Sequence, residues 1–211
     1  MPEGSGRTVS DLAVTEQLAG LVIVASFAAG LNAYATVVTL GLLARVGLVD
    51  LPGPLDALGD WWVIGLCGVL YVVEFFADKI PAFDLVWNAL QTFVRVPVGA
   101  LLAYGATGDL SPAAHVLATA LGGSIAFVAH SAKTAARISV TPSPEPFSNI
   151  ALSAAEDALA IFLMWFATRH PFWAAAIVIG LVTVIVMLTG WIIRAIRTLV
   201  VRRMDQRIRQ T

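Results

Sequence analysis

The chain has 211 residues, of which 58% are hydrophobic and 13% charged, about half the charge of an ordinary soluble domain. Its mean hydropathy is +0.83 and it holds a single cysteine, so a disordered chain, a collagen-like fibre and a disulfide scaffold are excluded. A net charge of −1 argues against nucleic acid as a partner, and the composition is that of an integral membrane protein.

A bilayer span needs about 20 mostly apolar residues, and six segments meet or approach that length. Residues 1–16, mixed in charge, read as an N-terminal tail. The first span, 17–44, contains no charge and is long enough to tilt, or to break near Gly30. The second, 61–77, is interrupted by Glu74, and the third, 85–108, contains Arg95; together they close a first half over 17–108. The fourth span (110–132), the fifth (150–168, with Glu156 and Asp157) and the sixth (171–193) make a second half over 110–193, and a basic tail follows over 194–211. Aligning Gly30 with Gly122 also brings Ala44–Arg45 onto Ala136–Arg137 without a gap, and Glu74 onto Glu156 once a longer first-half loop is allowed. Three spans is an odd number, so two copies would point in opposite directions. The expected fold class is therefore all-α and integral to the membrane: six transmembrane helices in two inverted three-helix repeats.

Lysine and arginine set the expected orientation. Arg194, Arg197, Arg202, Arg203, Arg207 and Arg209 follow the last span, and with six spans they fall on the same side as Arg7, Lys79, Lys133 and Arg137; only Arg45 and Arg169 fall on the other. This places the protein in the plasma (inner) membrane of a bacterium as a multi-pass protein with both termini cytoplasmic. The arginine tail then faces anionic lipid, each charge near the surface contributing about 1 kcal/mol. A bundle of six short spans also suits a homodimer.

Polar residues within the spans keep to one face of each helix, at separations of three, four or seven. Asn32, Thr36 and Thr39 line the first span, and Tyr71, Glu74 and Asp78 the second. Asp84, Asn88, Gln91 and Arg95 make a stripe on the third; His130, Lys133 and Arg137 close the fourth; Asn149, Ser153, Glu156 and Asp157 open the fifth. The sixth span has only Thr183 and Thr189 and is expected to face lipid. Intramembrane charges cost at least about 2.5–3.5 kcal/mol each on insertion scales, so five converging stripes predict one polar core. Two readings stay open. One is a structural ion-pair network, Glu74 meeting Lys133 and Glu156 or Asp157 meeting Arg137 or Arg95. The other is a binding site for an ion, proton or small solute, in which the carboxylates bind and the cations balance charge.

No cofactor is expected, although a divalent cation would fit: Glu74 and Asp78 lie one turn apart before Pro81, so free carbonyls at the helix end would stand beside two carboxylates. The metal candidates are Glu74, Asp78, Glu156 and Asp157. Serine-hydrolase, phosphate-loop, zinc-protease and dinucleotide motifs are missing, so the chain does not read as an enzyme; a membrane-embedded metal site acting on lipid is the enzymatic alternative.

The stretches Gly30-Leu31-Asn32-Ala33-Tyr34, Glu74-Phe75-Phe76-Ala77-Asp78-Lys79-Ile80-Pro81, Gln91-Thr92-Phe93-Val94-Arg95, His130-Ser131-Ala132-Lys133, Ser143-Pro144-Glu145-Pro146 and Glu156-Asp157 together resemble a bacterial membrane family, domain-of-unknown-function family 4126. The resemblance covers about residues 18–195 and implies a polytopic membrane protein, without naming an activity. The expected function is a small transporter or channel moving an ion or small solute, with proton coupling as an option. The alternatives are a lipid-handling protein whose basic residues hold an anionic headgroup, and a structural membrane subunit.

Overall fold

Inside a bilayer each backbone N–H and C=O must find its partner within its own segment, and long apolar runs satisfy this as helices. A computed structural model of the chain describes residues 9–78, 80–140 and 146–208, and every regular element among them is helical. In chain order these are α1 (Val9–Leu31), α2 (Ala33–Arg45), a 3₁₀ turn (Gly53–Gly59), α3 (Trp61–Ala77), α4 (Pro81–Ala106), α5 (Pro112–Val140), α6 (Pro146–Arg169) and α7 (Pro171–Ile208). Four of them open on proline, whose fixed φ suits the first turn and whose missing N–H would have had no intrahelical partner there.

Among the described residues four helices are long and apolar enough to cross a membrane: Val86–Ala106, Pro112–Ile138, Ile150–Arg169 and Pro171–Ala195. The six expected spans are not all met by single straight helices. The 3₁₀ turn and α3 pass the same test only as a pair bent by 64°, and the first span is divided into the shorter apolar helices Gln17–Leu31 and Ala33–Arg45. Other boundaries also differ from expectation. The fourth span does not stop where its charges begin, because α5 carries Lys133 and Arg137 inward and continues to Val140. The last helix runs on into the arginine tail as far as Ile208.

The break in the first span has a local cause. Asn32 adopts an extended conformation (φ −153°, ψ 105°), and its side-chain oxygen accepts from the N–H of Ala35 at 2.9 Å, capping α2. In an unbroken helix that N–H would bond to the carbonyl of Leu31, which is instead released. Thr36 donates to the carbonyl of Asn32 at 2.8 Å, which secures the first turn of α2.

Small residues bring α1, α4 and α5 close together, as expected where helices gain from van der Waals contact and not from water exclusion. Ser26 and Gly30 on α1, Gly99 and Ala103 on α4, and Gly122 and Ala126 on α5 each lie four apart and meet at one crossing. A Cβ on Gly30 would collide with the backbone of Ala126, and one on Gly122 would stand 2.8 Å from the carbonyl of Gly99. Ser26 donates to that same carbonyl at 3.2 Å. Beside this crossing lies an apolar core that includes Val24, Phe27, Leu40, Leu102, Leu163, Met164 and Val178. Helix α7 covers α1 and contributes no described buried polar side chain, as expected of a lipid-facing span.

Candidate functional site

Of the fourteen expected site residues, Asp84 and Asn149 have side chains that lie outside the described residues. The other twelve are all buried: Asn32, Glu74, Asp78, Asn88, Gln91, Arg95, His130, Lys133, Arg137, Ser153, Glu156 and Asp157, none more than 8% exposed. The stripe on α4 shows how the sequence achieves this, since Asn88, Gln91 and Arg95 point inward while Phe93 is 81% exposed on the outer side.

The charged groups form two linked clusters. In the first, Glu74 on α3 accepts a hydrogen bond from Arg95 on α4, the pair fully enclosed. Arg95 also donates to Nδ1 of His130 at 3.1 Å, and its Nη1 lies 3.5 Å from the carbonyl of Gly30 at the end of α1. Arginine has donors only, so Nδ1 of His130 must accept, and the ring proton sits on Nε2 facing the hydroxyl of Thr92 at 2.8 Å. His130 is thereby held as the neutral tautomer.

In the second cluster, Arg137 on α5 clamps two elements. Its Nη2 lies 2.9 Å from Oδ2 of Asp78 and 2.8 Å from Oε2 of Glu156, and its Nη1 donates to the Asp78 carbonyl at 3.1 Å. That carbonyl stands at the C-terminal end of α3, where a cation is favoured by the helix dipole. Ser153 on α6 approaches the same Oδ2 at 3.5 Å.

Lys133 joins the clusters. Its Nζ lies 3.1 Å from the freed carbonyl of Leu31, 3.3 Å from Asp78, 3.4 Å from Glu156 and 3.8 Å from Glu74. An ammonium has three donors, so four oxygens share them and one is always underserved. The helix break thus supplies a ligand to a cation from another helix. A third group lies nearby: Asp157 accepts from the amide of Asn32 at 2.9 Å through Oδ1 and faces the Tyr71 hydroxyl at 3.5 Å through Oδ2.

The sequence reading missed several participants. Backbone carbonyls at Gly30 and Leu31 leave no trace in residue type. Thr92 and Tyr34, the latter within 3.4 Å of Gln91, carry hydroxyls that the helical spacing could have indicated. Among the described residues no three His, Cys, Asp or Glu side chains are disposed to hold a metal ion, because the candidate carboxylates Glu74, Asp78 and Glu156 turn to arginine and lysine and Asp157 to neutral donors.

Fold and site together define an all-helical protein with apolar, membrane-length helices around a buried charged centre. The chain belongs to the DUF4126 family, described as a domain of unknown function, whose model matches residues 19–191. That stretch contains every residue of the centre. No curated protein and no solved structure matches the chain.

Proposed function

We propose that the protein is a small plasma-membrane transporter or channel that moves an ion or small solute through its charged centre, from six spans in two inverted halves with both termini cytoplasmic. The single observation carrying this reading is the enclosure of seven charged side chains (Glu74, Asp78, Arg95, Lys133, Arg137, Glu156 and Asp157) at a break in a span. Buried ion pairs are poor stabilisers, and apolar residues of equal volume often hold helices together as well or better. A discontinuous helix whose freed carbonyls meet cations, by contrast, is how membrane transporters build sites at mid-depth. The inverted arrangement draws support from Glu74 and Glu156, which the half-to-half alignment pairs and which approach the same ammonium at 3.8 and 3.4 Å.

Lipid handling needs a basic residue beside an acyl-chain groove. A groove of about 680 Å³ runs between α4 and α5, lined by Val96, Ala100, Gly123 and Phe127 among others, and its described lining contains no base. The charged centre is thus the better site.

The test is flux in reconstituted vesicles under imposed gradients of protons, Na⁺, K⁺, Mg²⁺, chloride or phosphate. The expected result is protein-dependent flux of at least one of these, abolished by Glu74→Gln while the thermal midpoint stays near that of the parent. Vesicles no more permeable than empty ones to all of them would overturn the proposal.

A further inference from the structure

Between α2 and α3 the chain runs over the end of α4 as a strap with two unlike faces. Asp56 and Asp60 are exposed, and with Asp50 and Arg45 they line a cleft of about 490 Å³. Leu51, Leu55 and Leu58 turn the other way, half-buried, and pack against the apolar core. Beneath the strap lies a cavity of about 10 Å³, lined by Ala25, Leu40, Leu51, Leu55, Leu102 and Ala106 among others, and its described lining is wholly apolar. That is the least space in which a water fits, and without polar partners none stays. This dry layer stands close to the charged centre. Leu102 is about 10 Å along α4 from Arg95, and Leu40 is about 12 Å along α2 from Asn32.

Two glycines form the seat of the strap. Gly105 on α4 lies under the side chain of Leu55, and a Cβ there would stand 2.8 Å from the Cγ of that leucine. Gly41 on α2 lies under the carbonyl of Leu58, which a Cβ would strike. A larger residue at either place would lift the strap. Its regular part is a short 3₁₀ stretch, Gly53–Gly59, with no buried residue. The hydrogen bond described between the strap and α2 is the one from Arg45 to the carbonyl of Gly59, at 2.8 Å. Gly47, at φ 71°, gives the chain its turn where it leaves α2. A segment with so few buried contacts and hydrogen bonds to the body opens at a small cost in free energy.

We infer that residues 51–58 are a movable gate over the charged centre, with Leu55 as its plug. Seated, the strap keeps the leucine layer dry and closes the centre from the face where α2 ends and α3 begins. Lifted off Gly41 and Gly105, it lets water and solute through to the centre. This deepens the transport reading, and rests on it, by naming how one side of the path is opened and shut. Apolar constrictions close a pathway by excluding water, and alternating access needs such a closure on one side at a time. The leucines supply the closure, and the aspartates keep the outer side of the strap in water. Arg45 is the latch, bonded to Gly59 and stacked 4.4 Å over the ring of Trp61, where α3 begins.

The closeness of Leu55 to Gly105 lets the strap be locked where it sits. In the full chain with Cys67→Ser, Leu55→Cys and Gly105→Cys together put two thiols within bonding reach. The expected result is that flux of the ion the parent carries falls to that of empty vesicles when diamide oxidises the pair, and returns on reduction. A cross-linked strap with unchanged flux would overturn the gate. A second measurement reads access to the centre. Thr36 on α2 is fully buried between the leucine layer and Asn32. A water-soluble thiol reagent should modify Thr36→Cys several-fold faster when Gly105→Leu bars Leu55 from its seat, and likewise with Gly41→Ala at the other glycine. Unchanged rates in both would overturn the gate too, and they decide the matter if the cysteine pair fails to fold. Flux indifferent to the cross-link retains transport and sinks the gate. Strap-dependent modification of Thr36→Cys in a protein without flux retains the gate and sinks transport.

Discussion

Helices α1–α2 and α5 align in sequence without a gap yet solve the same problem in opposite ways. Gly30 and its counterpart Gly122 both sit at the tight helix crossing, so the alignment holds for packing. Two residues later it fails. Asn32 takes the N–H of Ala35 and breaks the span, whereas the aligned Ser124 donates back to the carbonyl of Ala120 at 2.7 Å and its helix continues. The ends differ as well. Arg45 is turned outward, bonded to the carbonyl of Gly59 and stacked 4.4 Å over Trp61, while Arg137 is fully buried between two carboxylates. Helices α1–α2 contribute a break without a charge to the centre, α5 contributes charges without a break, and Lys133 of α5 fills the carbonyl released at the end of α1. Neither half builds the centre alone.

The comparison breaks most visibly at its arginines. Arg137→Met would leave Asp78 and Glu156 with Lys133 as their one cation among the described residues, and should destabilise by about 3–5 kcal/mol, read as a large fall in thermal midpoint or as lost expression. Arg45→Met, at the aligned position, removes an exposed contact and should lower stability by about 1 kcal/mol or less. Equal effects would mean that the two ends are equivalent after all.

The pair at the break comes next. Asn32→Ala removes both the cap of α2 and the hydrogen bond to Asp157, and should cost about 1–2 kcal/mol while slowing flux. Asn32→Ser keeps a cap but cannot reach Asp157, so it should recover part of the stability without recovering the rate. Ser124→Ala should be the mildest of these changes, within about 0.5 kcal/mol of the parent. A loss at Ser124 matching that at Asn32 would contradict the capping account.

Much of this was legible in the residues, because spacing decides which side chains share a face. Residues 61–77 form the helix α3, although it passes as a span only together with the bent 3₁₀ turn before it, and the described polar side chains of α3, α4, α5 and α6 are brought together. What spacing cannot carry is which partner each group meets. Glu74 was expected opposite Lys133 and lies closer to Arg95; Asp157 was offered an arginine and meets an amide and a phenol. Those choices depend on tertiary distances of a few ångströms. A tilt or a break near Gly30 was expected for the first span, and the break falls two residues on, where the side chain of Asn32 caps α2. Hydropathy ended the fourth span at its first charge, when those charges are themselves buried within α5.

The central claim is that the charged centre acts on a ligand and does not merely hold helices. Replacing Glu74 and Arg95 together by methionine removes a buried pair without stranding either charge, so on structural grounds the variant should fold with a thermal midpoint near that of the parent. Flux through vesicles containing this double variant is the direct measurement, with Glu74→Gln as its conservative companion. The account predicts folded protein with flux reduced to that of empty vesicles in both. Flux at the parental rate in the double variant or in Glu74→Gln would contradict it and reduce the Glu74–Arg95 pair to a helix clamp.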